Sequence, residues 1–478
     1  MIKKTDYLII GNSAAGLSAA ESIRKIDRKR RIDIFSSESY FNYSKPLITY
    51  YLSGRLDIGR LYFKDKGFYS NNNIDLNLNS EVVNVDSKEK SVVTVDGTEV
   101  KFNKLLIAGG GKPIIPAIKI KIEESAGKEG INEEILTEKT LKKEDKRLKN
   151  QAVFSGDLMD NPEKVLRQIC GVFSLTTLDD AAALKRYVEN NRIDSASILG
   201  GGLIGLKTAE ALLELGIKVN IIEIADRILS VSFDNTASEI ITKKIEETGS
   251  RVFTRSTIDE IYIKKRKITS FKLRSGKKIP CSLLIIAIGV NPNTEMLKDT
   301  GIKLENGIIV GKDLKTSEDD IYAAGDVVLS YDILTDKLKN IAIWPLAVKQ
   351  GNIAGINMSG GKASYSGGLF MNSIEILNIP VISIGLSSLE GNLSGDIKIY
   401  KDYNHDKNQY RKVIIRNDRI IGAILTGNIE RAGIYAGLIT NRIDVSDIKE
   451  NIVKEDFGII QLPADYRKHL VVGDGIEV

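Results

Sequence analysis

The chain has 478 residues, room for about three ordinary domains. Its hydrophobic share of 42% and charged share of 27% are those of a globular chain, neither disordered nor built of membrane spans. A net charge of +5 over this length gives no case for nucleic acid or membrane as a partner, though it suits an acidic protein. The two cysteines, Cys170 and Cys281, stand far apart, with no CxxC and no Cys/His cluster, so neither a zinc site nor a protein-bound iron–sulfur cluster is expected. Cys281 opens an apolar run and reads as a core residue. The N-terminal apolar run is too short for a secretory signal, and a cytoplasmic protein is expected.

The first motif is "DYLIIGNSAAGLSAAESIRKI". An apolar strand ends at Gly11. Ser13, Ala14 and Ala15 follow, then Gly16, then a helical pattern with Leu17, Ala20 and Ile23 on one side. Glycine permits the tight strand-to-helix turn, and small residues let the backbone approach a pyrophosphate at the helix N-terminus. Ser13 replaces the middle glycine of G-x-G-x-x-G and is small enough to keep that approach. A second strand, "RIDIFSSE", follows, and the ribose contact falls to Ser36, Ser37 or Glu38.

"KLLIAGGGKPIIP" is an apolar strand that ends in small residues, Ala108 and Gly109 among them. The second dinucleotide motif, "SASILGGGLIGLKTAEALLELGIKVNIIE", is more regular. Gly200, Gly202 and Gly205 lie in register between a strand and a helix that begins near Leu203 and Ile204. About twenty residues on, a strand ends in Glu223. A carboxylate there accepts hydrogen bonds from an adenosine ribose and repels a 2′-phosphate, which favours NAD over NADP. "CSLLIIAIGVNPN" repeats the strand-then-turn pattern with Gly289. "IYAAGDVV" places Gly325 and Asp326 at a strand's carboxyl end, a ligand edge in such sheets, although a Gly-Asp turn alone also reads as a solvated turn. In "NIAIWPLAVKQGNIAG", Pro345 suits a first helical turn and sets Trp344 at a helix N-terminus.

In this order, the motifs resemble the FAD-dependent pyridine-nucleotide–disulfide oxidoreductase superfamily. Within it the chain is similar to the group of NADH oxidases, coenzyme A disulfide reductases and NADH:rubredoxin or NADH:ferredoxin reductases. The resemblance implies an α/β fold with two Rossmann-like dinucleotide-binding domains, the NAD domain inserted in the FAD domain, and an α+β C-terminal interface domain that usually dimerises. It sets the FAD domain at 1–118 and 287–364, the NAD domain at 169–286 and the interface domain at 365–478. It implies FAD and NAD(H) as cofactors, with Asp326 on the flavin ribityl chain.

Two departures from the family pattern matter. Where oxidases and disulfide reductases carry Ser-Cys, this chain has Ser44-Lys45 in "YFNYSKPLITYYLSG". A lysine forms no mixed disulfide or sulfenate. The segment resembles the cation-Pro version of rubredoxin- and ferredoxin-type reductases, which makes Lys45 and Pro46 FAD contacts. Relatives read Gly-Leu-Glu after the second glycine motif, and that Glu lies near flavin N5, in some paired with a Lys. Here the residues are Lys207 and, at the partner position, Tyr50. The resemblance thus makes Lys207 and Tyr50 the catalytic candidates, with Lys207 expected as a cation near flavin N5 that raises the flavin's electron affinity and helps position the nicotinamide. The plainer alternative is a solvated lysine at the helix start.

A charged segment, 119–168, interrupts the family pattern. Its mixed charge reads as a solvated helical surface or loop, with partner docking or a lid near the nicotinamide site as the alternative. The expected reaction is hydride transfer from NADH to flavin, with electrons passed to a small iron–sulfur protein, rubredoxin or ferredoxin. The rival readings are a peroxide-forming NADH oxidase and a flavin-bearing redox sensor or scaffold.

Overall fold

The computed structural model describes residues 3–123, 165–166, 168–387, 395–463 and 467. In chain order, strand β1 (Lys3–Ile10) leads into helix α1 (Ala14–Ile26), and a short helix α2 (Ile48–Leu52) follows. Strand β2 (Ser195–Leu199) leads into helix α3 (Leu203–Glu214), and helix α4 (Trp344–Met358) comes later. The chain forms two compact units, Met1–Ser44 with Ile58–Lys112 and Val290–Val478, and Lys45–Asp57 with Pro113–Gly289. The family resemblance assigns 1–118 and 287–364 to one domain; Lys45–Asp57, which includes α2, and residues 113–118 and 287–289 instead pack with the second unit.

In the first unit, β1 is central in a sheet ordered Ile74–Asn77, Ile32–Phe35, β1, Glu99–Ile107, Ser91–Thr94, Val82–Asp86. Ile321–Ala323 also pairs with Glu99–Ile107. The strands from Ile74–Asn77 to Glu99–Ile107, and Ile321–Ala323, run parallel, which fits the fully buried run Tyr7–Ile10. Ile10 lies level with Phe35 and Ile107, and Ile107 with Ala323. Gly11, Ser36, Ala108 and the Gly325-Asp326 turn therefore leave the sheet at one carboxyl edge. The expected face of α1, Leu17, Ala20 and Ile23, is buried.

A stripe of small residues brings α1 and α4 into backbone contact. A Cβ added at Gly351 would stand 2.1 Å from the Ala15 carbonyl oxygen, and one at Gly355 2.4 Å from that of Ala19. Four-residue spacing on both helices aligns the two contacts along one ridge.

The second unit holds a parallel sheet ordered Arg251–Phe253, Lys218–Ile222, β2, Leu284–Ile286, Val172–Ser174. Leu199 is level with Ile222 and Ile286, so Gly200 and Glu223 emerge at the same edge. A four-stranded sheet, Lys278–Pro280, Lys267–Leu273, Ile258–Lys264 and Lys119–Ile122, belongs to the same unit. The expected insertion thus begins with a paired strand, Lys119–Ile122, and its far end buries Val165 and Leu166 in this unit's core. Its remaining residues, 124–164 and 167, lie outside the described residues.

At the chain's C-terminal end, five antiparallel strands are ordered Met371–Ile376, Ile379–Gly385, Arg419–Thr426, Gln409–Arg416, Ile397–Asn404. The helix Ala432–Thr440 covers them, and Ile384, Ile415, Tyr435 and Phe457 lie at the centre of that core.

Candidate active site

The two glycine turns share one geometry. Gly11 and Gly200 both have φ +115°, where L side chains are strained. A Cβ at Gly16 would stand 2.0 Å from the Gly11 carbonyl oxygen, and one at Gly205 equally close to that of Gly200. Each helix is thus pressed against the end of its own strand. Ala108 supplies the carbonyl beneath Gly11, as Ala287 does beneath Gly200. Ser13 and Gly202 both precede their helices in extended conformation, and neither caps its helix through a side chain. The space around Gly202 is open, which explains why serine is accepted at the equivalent position. Both helix starts thus have first-turn backbone N–H groups of the kind that can receive a phosphate, with the small Ala14 and Ala15 on one and Leu203 and Ile204 on the other.

Around the first turn the fold adds contacts that the sequence did not reveal. Asn12 Oδ1 accepts from the Tyr69 hydroxyl at 2.8 Å, and the same hydroxyl accepts from the Asn42 N–H at 3.2 Å. Ser36 directly follows its strand, and Glu38 accepts from the Tyr43 hydroxyl at 2.5 Å. Gly109 packs against Met296 and Asn293. Gly325 has φ +84° and lies against Ala15. Its N–H donates to buried Gln350 at 2.8 Å, while Asn340 donates to the carbonyls of Asp326 and Val328. The backbone of the Gly-Asp turn is thus held from both sides. Trp344 opens α4, with Pro345 in its first turn, and packs edge-on to Phe63 at 5.1 Å.

In the second unit Glu223 directly follows its strand. Its carboxylate accepts from the Gly201 N–H at 2.7 Å and from the Ala225 N–H at 2.8 Å. The acid expected to meet a ribose thus anchors the glycine turn. Each carboxylate oxygen keeps a second lone pair for a ribose hydroxyl. Gly289 has φ +116° and packs on Ile114.

Lys45 and Pro46 form a short 3₁₀ turn, Lys45–Leu47, that leads into α2. Tyr50 on α2 meets Lys207 on α3, whose ammonium stands 4.9 Å from the ring centroid. Lys207 is only 15% exposed and ion-pairs with Glu210, so it is not the solvated lysine of the plainer reading. Thr49, whose hydroxyl is buried without a hydrogen-bond partner among the described residues, helps line a cavity of about 10 Å³ beside this pair, room for one water.

Two nucleotide-shaped turns, one of them interrupting the other's domain, decide the family together with one comparison. The model for pyridine nucleotide-disulphide oxidoreductases matches residues 5–156 and 162–351. The chain belongs to this family. It binds FAD and NAD(H), as the paired turns, uncapped helix starts and glycine cradles fit. Residues 371–443 match the rubredoxin NAD+ reductase C-terminal domain. The chain is 28% identical over 429 residues to the NADH-rubredoxin oxidoreductase of Clostridium acetobutylicum, covering 90% of this chain and 92% of that one. A crystal structure of the enzyme of that name from the same organism superposes with a TM-score of 0.69 at 25% identity, covering 93% and 97% of the two chains. The NADH oxidase of Methanocaldococcus jannaschii is 28% identical over 395 residues, 81% of this chain and 77% of that one. A nitrite reductase [NAD(P)H] of Bacillus subtilis is 26% identical over 450 residues, 93% of this chain, which spans 48% of that protein's length. The family membership makes this chain an FAD-dependent NAD(P)H oxidoreductase. No described helix is long and apolar enough to cross a membrane.

Proposed function

We propose that the chain takes a hydride from NADH and delivers the electrons to a small iron–sulfur protein such as a rubredoxin or ferredoxin. The observation that carries this reading is the missing thiol at Ser44-Lys45, where a lysine turn leads into α2. The two cysteines lie elsewhere. Burial pushes the Cys281 thiol up to about 11, so it stays protonated and inert. The match of 371–443 to a rubredoxin reductase domain supports the same acceptor class.

Bound FAD supplies the hydride acceptor and can release electrons singly. The protein's part is placement. The start of α1 holds the flavin nucleotide's pyrophosphate, and the turn clamped by Gln350 and Asn340 presents Asp326 to its ribityl chain. The start of α3 holds the pyrophosphate of NADH, and Glu223 takes the ribose and repels a 2′-phosphate. Lys207 and Tyr50 flank the nicotinamide. Hydride transfer then needs orientation rather than a protein base.

Stopped-flow reoxidation of the NADH-reduced protein tests the proposal, with reduced rubredoxin or ferredoxin formation followed against dioxygen consumption. Reoxidation at least tenfold faster by the iron–sulfur protein is expected. Faster reoxidation by dioxygen would replace the proposal with a peroxide-forming oxidase.

A further inference from the structure

Helix α3 carries Lys207, Glu210 and Glu214 along one stripe, three and then four residues apart. The ring of Tyr50 lies against that stripe and meets two cations. Lys207 stands 4.9 Å from its centroid and is tied to Glu210; the Arg55 guanidinium stands 5.4 Å away and is tied to Glu214. Each cation on the ring is therefore matched by a carboxylate of α3. The inner pair is the more buried, Lys207 at 15% and Glu210 at 5% exposure. Away from water, such a pair is nearly neutral to a neighbour, whereas either partner alone would act as an unscreened charge.

The nicotinamide ring is neutral in NADH and positive in NAD+. A lone ammonium beside it would repel the oxidised form and leave the reduced form almost untouched. We infer that Glu210 is a positioning residue that seats the Lys207 ammonium on Tyr50 and cancels its charge, so that the site accepts both NADH and NAD+. This rests on the reading above that Lys207 and Tyr50 flank the nicotinamide. A site balanced in this way does not trap or expel either redox form, which suits an enzyme whose nucleotide must leave after each hydride transfer.

The test is equilibrium titration of the full-length FAD-loaded protein with NAD+ and with 1,4,5,6-tetrahydro-NAD, whose ring is neutral and gives no hydride. The ratio of the two dissociation constants isolates the ring's charge from the shared ribose and pyrophosphate contacts. Glu210→Gln should raise the NAD+ to tetrahydro-NAD ratio roughly tenfold, and Lys207→Met should lower it by a similar factor. The neutral double variant Lys207→Met/Glu210→Gln should return to the wild-type ratio. If Glu210→Gln does not fold, Lys207→Met and the double variant still decide the matter. Equal weakening of both ligands by Glu210→Gln, with the ratio unmoved, would reduce Glu210 to a structural role and overturn the inference while Lys207→Met still shifts the ratio. A ratio unmoved by Lys207→Met as well would instead remove Lys207 from the nicotinamide site and overturn the reading beneath it.

Discussion

Gly351→Ala is the sharpest test of how the flavin nucleotide's turn is held. A methyl group there would lie 2.1 Å from the Ala15 carbonyl oxygen and 2.8 Å from its Cα and carbonyl carbon. Ordinary contact begins near 3.4 Å, so α1 and α4 would have to part by 3.4 − 2.1 = 1.3 Å at this point. The obstacle is backbone, and no rotamer change relieves it. Overpacking typically costs ~1–3 kcal/mol. The immobile neighbour places this case at the upper end, set against a gain of ~0.5–1 kcal/mol from the better helix former. A net loss of ~2 kcal/mol is expected, a fall in melting temperature of about 3 °C for a unit this large. Because Ala15 lies in the first turn of α1 and also touches Gly325, FAD should be released more readily. Thermal melting and FAD retention on gel filtration measure both effects. Gly433→Ala is the control: it lies in a helix with nothing within 4 Å of the added methyl group, and it should leave the melt unchanged or slightly raised. A Gly351→Ala variant that melts with the wild type and keeps its FAD would refute the tight crossing.

Two more predictions concern charge. Glu260 is buried, which alone would raise its pKa, but hydrogen bonds from Lys272, Tyr262 and Lys121 outweigh burial and hold it at about 2. A folded-state value below the ordinary 4.5 adds stability that is present above pH 4.5 and is lost as pH falls through 2. About 2 kcal/mol should disappear between pH 7 and pH 3. Glu260→Gln should flatten that acid limb in urea titrations, and an unchanged slope would count against the network. Glu223→Ala removes the acceptor of the Gly201 and Ala225 N–H groups along with the proposed ribose contact. KM for NADH should rise roughly tenfold or more with kcat little changed, and Glu223→Gln should lose less; an unaltered KM would separate this carboxylate from the nucleotide.

Much of this was legible because strand–turn–helix motifs are local. Gly11, Gly16, Gly200 and Gly205 stand where a short stretch of chain must reverse and approach itself, and so the residue types announce the geometry. Glu223 was readable for the same reason, since it ends the next strand. Gln350 and Asn340 were not, because their partners at Gly325 and Asp326 are set by the fold and no spacing marks them. The Ala15/Ala19 and Gly351/Gly355 pairs do carry a visible four-residue spacing, yet sequence alone does not say that the two helices meet.

By itself, then, the chain's sequence determined the two nucleotide turns, their order, the acid that follows the second and the absence of a thiol at Ser44-Lys45. Those features depend on backbone freedom and side-chain chemistry within a few neighbouring residues. Tertiary structure decided that Lys45–Asp57 packs with the second unit, that Lys119–Ile122 joins a sheet, and that Lys207 is paired with Glu210 on Tyr50 rather than solvated. These outcomes rest on contacts between distant residues, 157 positions apart for Lys207 and Tyr50 (207 − 50) and 159 for Arg55 and Glu214 (214 − 55), and only packing in a common unit brings such residues together.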